Sequence, residues 1–499
     1  MDLFVTPDGS PRGWNGATVA AMRLQEAIDK AVAGDVIHLL PGVYDEPVVI
    51  QRKHASRERP IVIRSNGCAT FDGRRNVLRP PGMPSFEDYA FFKIRNCVGI
   101  VIENTTIQNV WPTAIYIEDS QHVTVRKLNL NGATYGVFAR GVGTRYLVLE
   151  HCSWIQDTRI WQDVFWKDIH ANPLPRRELD GDFFRSDDIT GDVIVRYNFI
   201  AHAFNGIHLF ATRNGAENGY VNRNVWIYRN TFAFIRDSAV EAELTATNWW
   251  IFENKIYNCH TWIAFEECQG GYWYVFANRG WFDRKPGPPG ECNNGGAVIK
   301  TNKVKKGEDD KVLPSHPFYV FNNSWYLRSA YLKKGKLRHV RHFNNAIAYA
   351  RPDHHPPGVV DLGRRMIGVG APNPACEGPA DAEEPFTTDW KNLDIHFEND
   401  ICSHPDYPAG LQAAGYPVSG AYGDPGFSSG RDGEFTLSAD SICRRAGMSA
   451  ALELPDQGEW VLPEGIDIGA MHGKIPYSPI ALGCPECALP LGYIDDPKA

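Results

Sequence analysis

The feature that most constrains the fold is an asparagine that recurs between two apolar positions, as in Ile227, Asn230 and Phe232. The asparagines of three consecutive copies, Asn230, Asn254 and Asn278, are spaced 24 residues apart. A fixed period of this length with short strands is typical of a solenoid, whose coils bury their apolar sides against their neighbours. Asparagine favours tight turns and can hydrogen-bond to its equivalent one coil away. The repeat therefore predicts an all-β solenoid rather than a β-sandwich with evenly spaced strands.

The repeat extends along most of the chain and predicts one solenoid domain over residues 1–499. Residues 16–34 carry apolar side chains at helical spacing and end in a glycine, which predicts an N-terminal capping helix. The asparagine period is interrupted by long insertions at about 156–190, 280–318 and 351–392. Long insertions on a repeat scaffold usually line its binding face, so we expect these loops to border a site.

Charge and hydropathy narrow the range of partners. The net charge of −8 disfavours nucleic acid or an anionic membrane surface as a partner. No apolar run is long enough to cross a bilayer, and the N-terminus lacks the basic and apolar segments of a signal peptide. Nothing in the composition indicates an oligomeric state.

Motifs near both ends add a resemblance to the repeat. They are Phe4-Val-Thr-Pro-Asp-Gly-Ser10, Gly34-Asp-Val-Ile-His-Leu-Leu-Pro-Gly-Val-Tyr44, Gly423-Asp-Pro-Gly-Phe427 and Asp467-Ile-Gly-Ala470. Together with the asparagine copies, these segments resemble right-handed parallel β-helix proteins of the pectate-lyase-like superfamily, with residues 423–499 as the closing segment of its carbohydrate-active members. The resemblance implies a polysaccharide or oligosaccharide substrate and an extracellular or periplasmic location. It does not choose a reaction, because the superfamily contains lyases, hydrolases, epimerases and phage tailspikes.

The most acidic strand of the repeat lies between Asp237 and Thr245. Because side chains alternate along a strand, Glu241 and Glu243 should point outward while Val240, Ala242 and Leu244 point into the core. Alignment of equivalent strands predicts two outward columns. The first column is Tyr116, Phe138, His208, Glu241 and Ala264, and the second is Glu118, Arg140, Phe210, Glu243, Glu266 and Lys300.

These columns place several titratable groups within a few ångströms, since stacked strands lie about 4.8 Å apart. Carboxylates this close cannot all ionise freely, so one should have a raised pKa and act as a general acid beside an ionised partner. The predicted catalytic residues are Glu241, Glu243, Glu266, Asp237 and His208. Asp237 is equally explained as a turn residue, and the whole patch as a solvated face with scattered charges.

The side chains expected to bind substrate beside this patch are Arg140, Lys300, Arg213, Trp262, Phe210, Glu267 and Asp188. An ordinary turn acid is the alternative interpretation of Asp188. No cofactor is required by this chemistry, although the carboxylate oxygens are also suitable ligands for Ca²⁺.

The sequence favours a glycoside hydrolase over a polysaccharide lyase. Glu241-Ala-Glu243 looks like the Glu-x-Glu calcium-binding strand of the chondroitinase-B and alginate-lyase branch, which implies a lysine shortly after it and an Arg-His pair one coil later. The corresponding positions here are Thr247-Asn248-Trp249 and Phe265-Glu-Glu-Cys268. Elimination must neutralise a uronate carboxyl, so the missing bases argue against it unless Arg140 or Lys300 replaces them. The alternatives are therefore a lyase, with or without Ca²⁺, and a non-catalytic, tailspike-like glycan binder.

Overall fold

The structure is a computed structural model, and the predicted parallel β-helix is confirmed. It describes residues 1–73, 90–156, 181–212, 221–282, 297–301, 314–327, 330–333, 338–350, 394–405, 407–413, 415–456 and 458–470. Equivalent strands of successive coils pair in parallel, so that Ile207 lies opposite Val240 and Val240 opposite Ile263. These apolar side chains stack along the interior, which is how the repeat buries a continuous core.

The coils contribute strands to three faces, called here the site face, the second face and the third face. The site face consists of Val48–Gln51, Ala90–Arg95, Thr113–Glu118, Tyr135–Arg140, Asp182–Asp187, Asn205–Phe210, the first halves of Ser238–Phe252 and Thr261–Phe276, Ala297–Lys300 and Ala330–Lys333. The second face consists of Asp2–Val5, Val36–Leu39, Ile61–Ser65, Val98–Glu103, Gln121–Arg126, Arg145–Glu150, Gly191–Arg196, Arg223–Tyr228, the second halves of the same two long strands, Phe318–Phe321, Val340–Phe343 and Ile395–Glu398. The third face consists of Gly42–Tyr44, Ala69–Asp72, Thr106–Val110, Asn129–Gly132, Ser153–Ile155, Phe199–Ala203, Thr231–Ile235, Lys255–Tyr257, Arg279–Trp281, Ser324–Leu327, Ala346–Tyr349, Ile401–Cys402 and Ala421–Tyr422.

The N-terminal cap is shorter than predicted. Only Leu24–Lys30 is helical, and it buries Leu24, Ala27 and Ile28 against the first coil. The residues before it form an antiparallel hairpin of Arg12–Trp14 and Ala17–Val19 instead. The apolar spacing over residues 16–34 predicted a helix that was too long, because Ala17–Val19 at the start of this segment is a strand.

The insertion expected at about 156–190 is also too long in the prediction. Asp182–Asp187 is a strand of the site face, paired with Tyr135–Arg140 on one side and Asn205–Phe210 on the other. Within the insertion expected at 280–318, Ala297–Lys300 likewise pairs with its neighbours on the site face. The insertion expected at 351–392 lies outside the described residues, as does the last part of the predicted closing segment, 471–499.

An asparagine ladder runs through the interior at the turn between the second and third faces. In Asn230, the backbone N–H and the side-chain Nδ2 both donate to Oδ1 of Asn254, at 3.0 and 3.1 Å. Asn254 donates to Asn278 in the same way, at 3.0 Å for both bonds. The further members of the ladder are Asn198, Asn323, Asn345 and, at its end, Asp400. The ladder fixes the register of each coil on the next.

The closing segment covers the outside of the second face. Aromatic rings stack there along the helix axis, with Phe252 on Phe276 at 5.0 Å and Phe276 on Phe321 at 4.9 Å between ring centroids. An antiparallel hairpin of Ala450–Glu453 and Glu459–Leu462 lies over this stack through Trp460. The remaining described elements are the helix Ala409–Ala413, the 3₁₀ turn Gly430–Asp432 and the antiparallel pair Phe427–Ser429 and Glu434–Leu437. None of the helices in the described ranges has the length and apolarity needed to span a membrane.

Candidate active site

The two outward columns exist on the site face, with one change of register. Val240 and Ala242 point into the core, while Glu241 and Glu243 lie opposite His208 and Phe210 of the preceding coil. Leu244 departs from the prediction because a bulge follows Glu243 and gives Leu244 a φ of 67°, which turns it out of the central core.

Lys300 belongs to the first column, not the second. It pairs with Ala264, so it follows Glu241 along the column with only the methyl group of Ala264 between them. The predicted alignment had slipped by two residues at this strand. Because side chains alternate with a period of two, such a slip keeps Lys300 facing outward but moves it to the neighbouring column.

The coil that contains the strand Asp182–Asp187, which was predicted to be part of an insertion, adds two charged residues to the columns. Arg185 lies between Phe138 and His208 in the first column, and Asp187 lies between Arg140 and Phe210 in the second. No asparagine of the ladder comes immediately before the site-face strand of this coil. The asparagine repeat therefore did not predict this strand. The alternation of Phe184 and Ser186, which point inward, with Arg185 and Asp187 was the available signal.

His208 is the centre of the first charged group in the site. Its Nε2 lies 3.1 Å from Oε2 of Glu243, and its Nδ1 lies 2.8 Å from Nη1 of Arg185 and 3.5 Å from Oδ1 of Asp182. Burial and the Arg185 guanidinium lower the pKa of His208, but the carboxylates of Glu241 and Asp182 outweigh them and hold that pKa well above its usual value. The acids around the ring therefore favour its protonated form, whereas the 2.8 Å contact of Nδ1 with the Arg185 guanidinium requires Nδ1 to accept a hydrogen bond.

Lys300 is the centre of the second charged group. Its ammonium contacts Oε1 of Glu266 and lies 3.8 Å from Oδ1 of Asp237. Burial lowers the pKa of Lys300, but Asp237, Glu266 and Glu241 together raise that pKa well above its usual value. Lys300 therefore keeps its proton, and Asp237 is part of the cluster rather than only a turn residue.

Glu241 lies between the two charged groups and is almost fully buried. Burial raises its pKa well above the usual value; Asp237 and Glu266 add to this rise, while His208 and Lys300 oppose it. In Glu243, burial also raises the pKa, but its hydrogen bond with His208 lowers it below the usual value. The i, i+2 pair thus combines an acid whose protonated form is favoured by burial with one whose ionised form is favoured by His208, and these are the two states that proton transfer requires.

The second column provides the more accessible side chains. Glu243 and Asp187 are about one-third exposed, at 33% and 29% of their side chains. Asp187 accepts a hydrogen bond from Nε of Arg185 at 3.1 Å, and the Arg185 guanidinium lies over the ring of Phe210. Arg140 is exposed and lies opposite Asp187. Phe210 and Arg140 therefore lie beside the cluster, and their role in substrate binding stays a prediction.

Other residues predicted for substrate binding lie elsewhere. Trp262 is fully buried in the core, where its Nε1 donates to the Cys259 carbonyl and its ring packs against Trp325. Asp188 is a turn acid whose carboxylate accepts bonds from the backbone N–H and hydroxyl of Thr212, both at 2.8 Å. Arg213 and the side chain of Glu267 lie outside the described residues.

The arrangement does not fit a calcium ion. Ca²⁺ takes six to eight oxygen ligands at about 2.3–2.6 Å. The Asp237 and Glu266 carboxylates instead converge on the Lys300 ammonium, and Glu243 is engaged by His208. Across the described ranges, no group of three or more His, Cys, Asp or Glu side chains is placed to hold a metal ion.

Comparison with known proteins gives one curated relative. Pectate lyase PEL9 of Emericella nidulans is 25% identical to this chain over 149 residues, which cover 29% of this chain and 31% of that protein. The match therefore spans about a third of the relative's length. No protein-family model matches the sequence.

Several solved structures resemble the chain. The PL6 family alginate lyase AlyGC has a TM-score of 0.43 and 9% identity, over 95% of this chain and 57% of that chain. XylC in complex with xylose has a TM-score of 0.43 and 10% identity, over 94% and 98% of the two chains. Pectate lyase Pel9A has a TM-score of 0.32 and 14% identity, over 95% and 96%.

The resemblance to the pectate-lyase-like superfamily is confirmed at the level of the fold. The prediction of a glycoside hydrolase is wrong. The matched relative is a pectate lyase, and the hydrolase prediction also rested on the absence of basic groups beside Glu241 and Glu243. Lys300, His208 and Arg185 lie in this parallel β-helix at that very place.

Proposed function

We propose that this parallel β-helix protein is a polysaccharide lyase that cleaves a uronate-containing polysaccharide by β-elimination. The observation that carries the proposal is the pair of cations, Lys300 and His208, on either side of Glu241 on the site face. The pectate lyase relative supports the same reaction class.

The reaction requires three functions around one sugar. A base removes the proton from C5, the bond from C4 to the bridging oxygen breaks, and an acid protonates that oxygen as the C4–C5 double bond forms. A cation beside the uronate carboxyl stabilises the negative charge that develops when the C5 proton leaves. The site offers candidates for each function within two neighbouring columns.

We assign the cationic function to Lys300, His208 and Arg185. Each has an acidic side chain beside it that favours its positively charged form, although Arg185 and His208 also contact each other. Preorganised cations in a site with little water interact with a developing charge more strongly than they would in bulk water.

We assign the base to Glu243 and the acid to Glu241. Glu243 has a lowered pKa and the more exposed carboxylate, so it is ionised and accessible. The raised pKa of Glu241 favours its protonated form, which is the form that delivers a proton to the leaving oxygen. Lys300 is less suited to act as the base, because Glu266 and Asp237 stabilise its protonated form.

The test is product chemistry with matched variants. The protein should release products with the ultraviolet absorbance of an unsaturated uronate from at least one member of a polyuronate panel that includes pectate and alginate. Glu241→Gln and Glu243→Gln should each lower the rate by about 100-fold or more, the usual range for a lost general acid or base. Glu459→Gln, which changes an exposed glutamate on the closing hairpin, is the matched control.

Reducing ends formed without ultraviolet absorbance would contradict the lyase proposal. Full activity in both site variants would contradict the assigned residues while leaving the reaction class intact.

A further inference from the structure

Lys300 reaches the site from a short strand. Ala297–Lys300 has four residues and pairs with Thr261–Phe276, so that Lys300 lies opposite Ala264. Ile299 is buried, and the core therefore fixes the backbone of this strand. A lysine side chain is long and flexible, and without a partner it extends its ammonium into water. The place of the ammonium thus depends on the groups that it contacts.

Two carboxylates lie on opposite sides of this ammonium along the strand direction. Glu266 follows Ala264 by two residues and contacts the ammonium from the second column. Asp237 comes just before the strand Ser238–Phe252, and its Oδ1 lies 3.8 Å from the ammonium. The side chains of Asp237, Glu266 and Lys300 are only 8%, 11% and 13% exposed. Little water therefore screens the attraction between these charges.

The protonated state of Lys300 also depends on these two acids. Burial lowers the pKa of Lys300, whereas the charges of Asp237, Glu266 and Glu241 raise it, and the contact with Glu266 adds to the rise. A buried charge that loses its partner becomes neutral or moves toward water. Either change would remove the cation from the place that it occupies beside Glu241 on the site face.

We propose that Glu266, together with Asp237, is a positioning residue that holds the Lys300 ammonium in the site and acts through it rather than on the substrate. This role differs from the catalytic role that the sequence predicts for both acids. Its importance for cleavage rests on the proposed lyase function, in which Lys300 stabilises the charge on the uronate. The ion pair itself does not depend on that function, because it involves only side chains of the protein.

Amine labelling of the full chain measures the ion pair without any substrate. Acetic anhydride reacts with neutral amines, and mass spectrometry gives the rate at each lysine. In the wild type, Lys300 should react more slowly than Lys255, which is exposed on the third face. Glu266→Gln should raise the Lys300 rate by about tenfold, because a lower pKa increases the fraction of neutral amine. Glu266→Asp keeps the charge and should restore part of the protection. Glu398→Gln removes the partner of Arg341 on the second face and, as the matched control, should leave the Lys300 rate unchanged.

Kinetics provides the second measurement. Glu266→Gln should lower kcat by about 10- to 100-fold with a smaller change in KM, because Lys300 is assigned to charge that grows in the transition state. The alkaline limb of activity should also move to lower pH. A lysine with a raised pKa keeps its charge until the pH passes that pKa, and loss of the Glu266 charge lowers the pH at which this happens.

Two outcomes would overturn the inference. One is a wild-type Lys300 that reacts as fast as Lys255, which decides against the ion pair even if Glu266→Gln fails to fold. The other is a folded Glu266→Gln protein in which Lys300 reacts at the wild-type rate. Absence of lyase activity in the wild type would refute the proposed function but would leave the labelling result unchanged.

Discussion

At the scale of single residues, Asp182 is a buried acid beside the charged groups of the site. It lies on the coil predicted as a loop, it is 1% exposed, and neither of its carboxylate oxygens has a hydrogen-bond partner in the described structure. Oδ1 lies 3.5 Å from Nδ1 of His208, whose closer neighbour is Arg185. A neutral His208 can accept from Arg185 through Nδ1, whereas a protonated one must donate from Nδ1, and Asp182 is the acceptor in place.

Asp182→Asn should therefore weaken the protonated form of His208. Removing the Asp182 charge lowers the pKa of His208, because that carboxylate is among the groups that raise it. A histidine with a raised pKa contributes its charge at low pH and loses it as pH rises through the folded-state pKa. The alkaline limb of activity should thus move to lower pH, with the rate on the acid side largely retained.

The pKa of His208, followed by NMR of its ring proton in Asp182→Asn and wild type, checks this directly. Asp188→Asn is the matched control, since that acid bonds to Thr212 in a turn. An unchanged His208 pKa in Asp182→Asn would show that Asp182 has no positioning role.

At the scale of elements, the sequence predicted the solenoid because one polar residue recurs where apolar ones are expected. Three buried asparagines at equal spacing have few explanations other than a ladder, and Asn230, Asn254 and Asn278 form one. Where a long insertion separates two strands, no such regular spacing shows how the strands pair. Lys300 was placed in the wrong column because the loop before it conceals the register, and Asp182 and Arg185 were missed because their coil follows a long insertion.

The ladder should make a large contribution to stability. Asn254→Ala would leave the backbone N–H and Nδ2 of Asn230 without their acceptor in the buried interior. Each unsatisfied buried group costs about 1–3 kcal/mol, so the free energy of unfolding should fall by roughly 3 kcal/mol. Urea unfolding measures the change, with the exposed Asn131→Ala as the control. Equal stabilities for the two variants would mean that the ladder sets register without stabilising the fold.

At the scale of the whole molecule, the site face and the second face share continuous strands but have different surroundings. The strand Ser238–Phe252 carries Glu241 and Glu243 at one end and stacked aromatic rings, including Trp250 and Phe252, at the other. The closing hairpin covers the aromatic end. The sequence predicted a closing segment but not what it covers, because a hairpin far along the chain pairs with no repeat unit.

Trp460→Ala should detach this hairpin from the coils. Trp460 packs against Trp250, Phe276 and Phe321, with ring centroids 6.0, 5.4 and 5.6 Å away. Truncating a buried tryptophan costs about 3–5 kcal/mol, so the melting temperature should fall and the hairpin should become the first site of proteolysis. Val461→Ala, at an exposed neighbour on the same strand, should change neither. Identical proteolysis of the two variants would contradict this anchoring role.

The rungs of the asparagine ladder are equally close in space even where the number of residues between them differs. The step from Asn254 to Asn278 is 24 residues and that from Asn278 to Asn323 is 45, yet the two pairs form the same bonds at 3.0 Å. Extra sequence therefore leaves the scaffold between the coils without straining the next rung. The sequence between two rungs can therefore change in length while the spacing of Arg185, His208, Glu241 and Lys300 stays fixed. Evolution can thus vary the connecting segments of such a scaffold independently of the charged side chains on its site face.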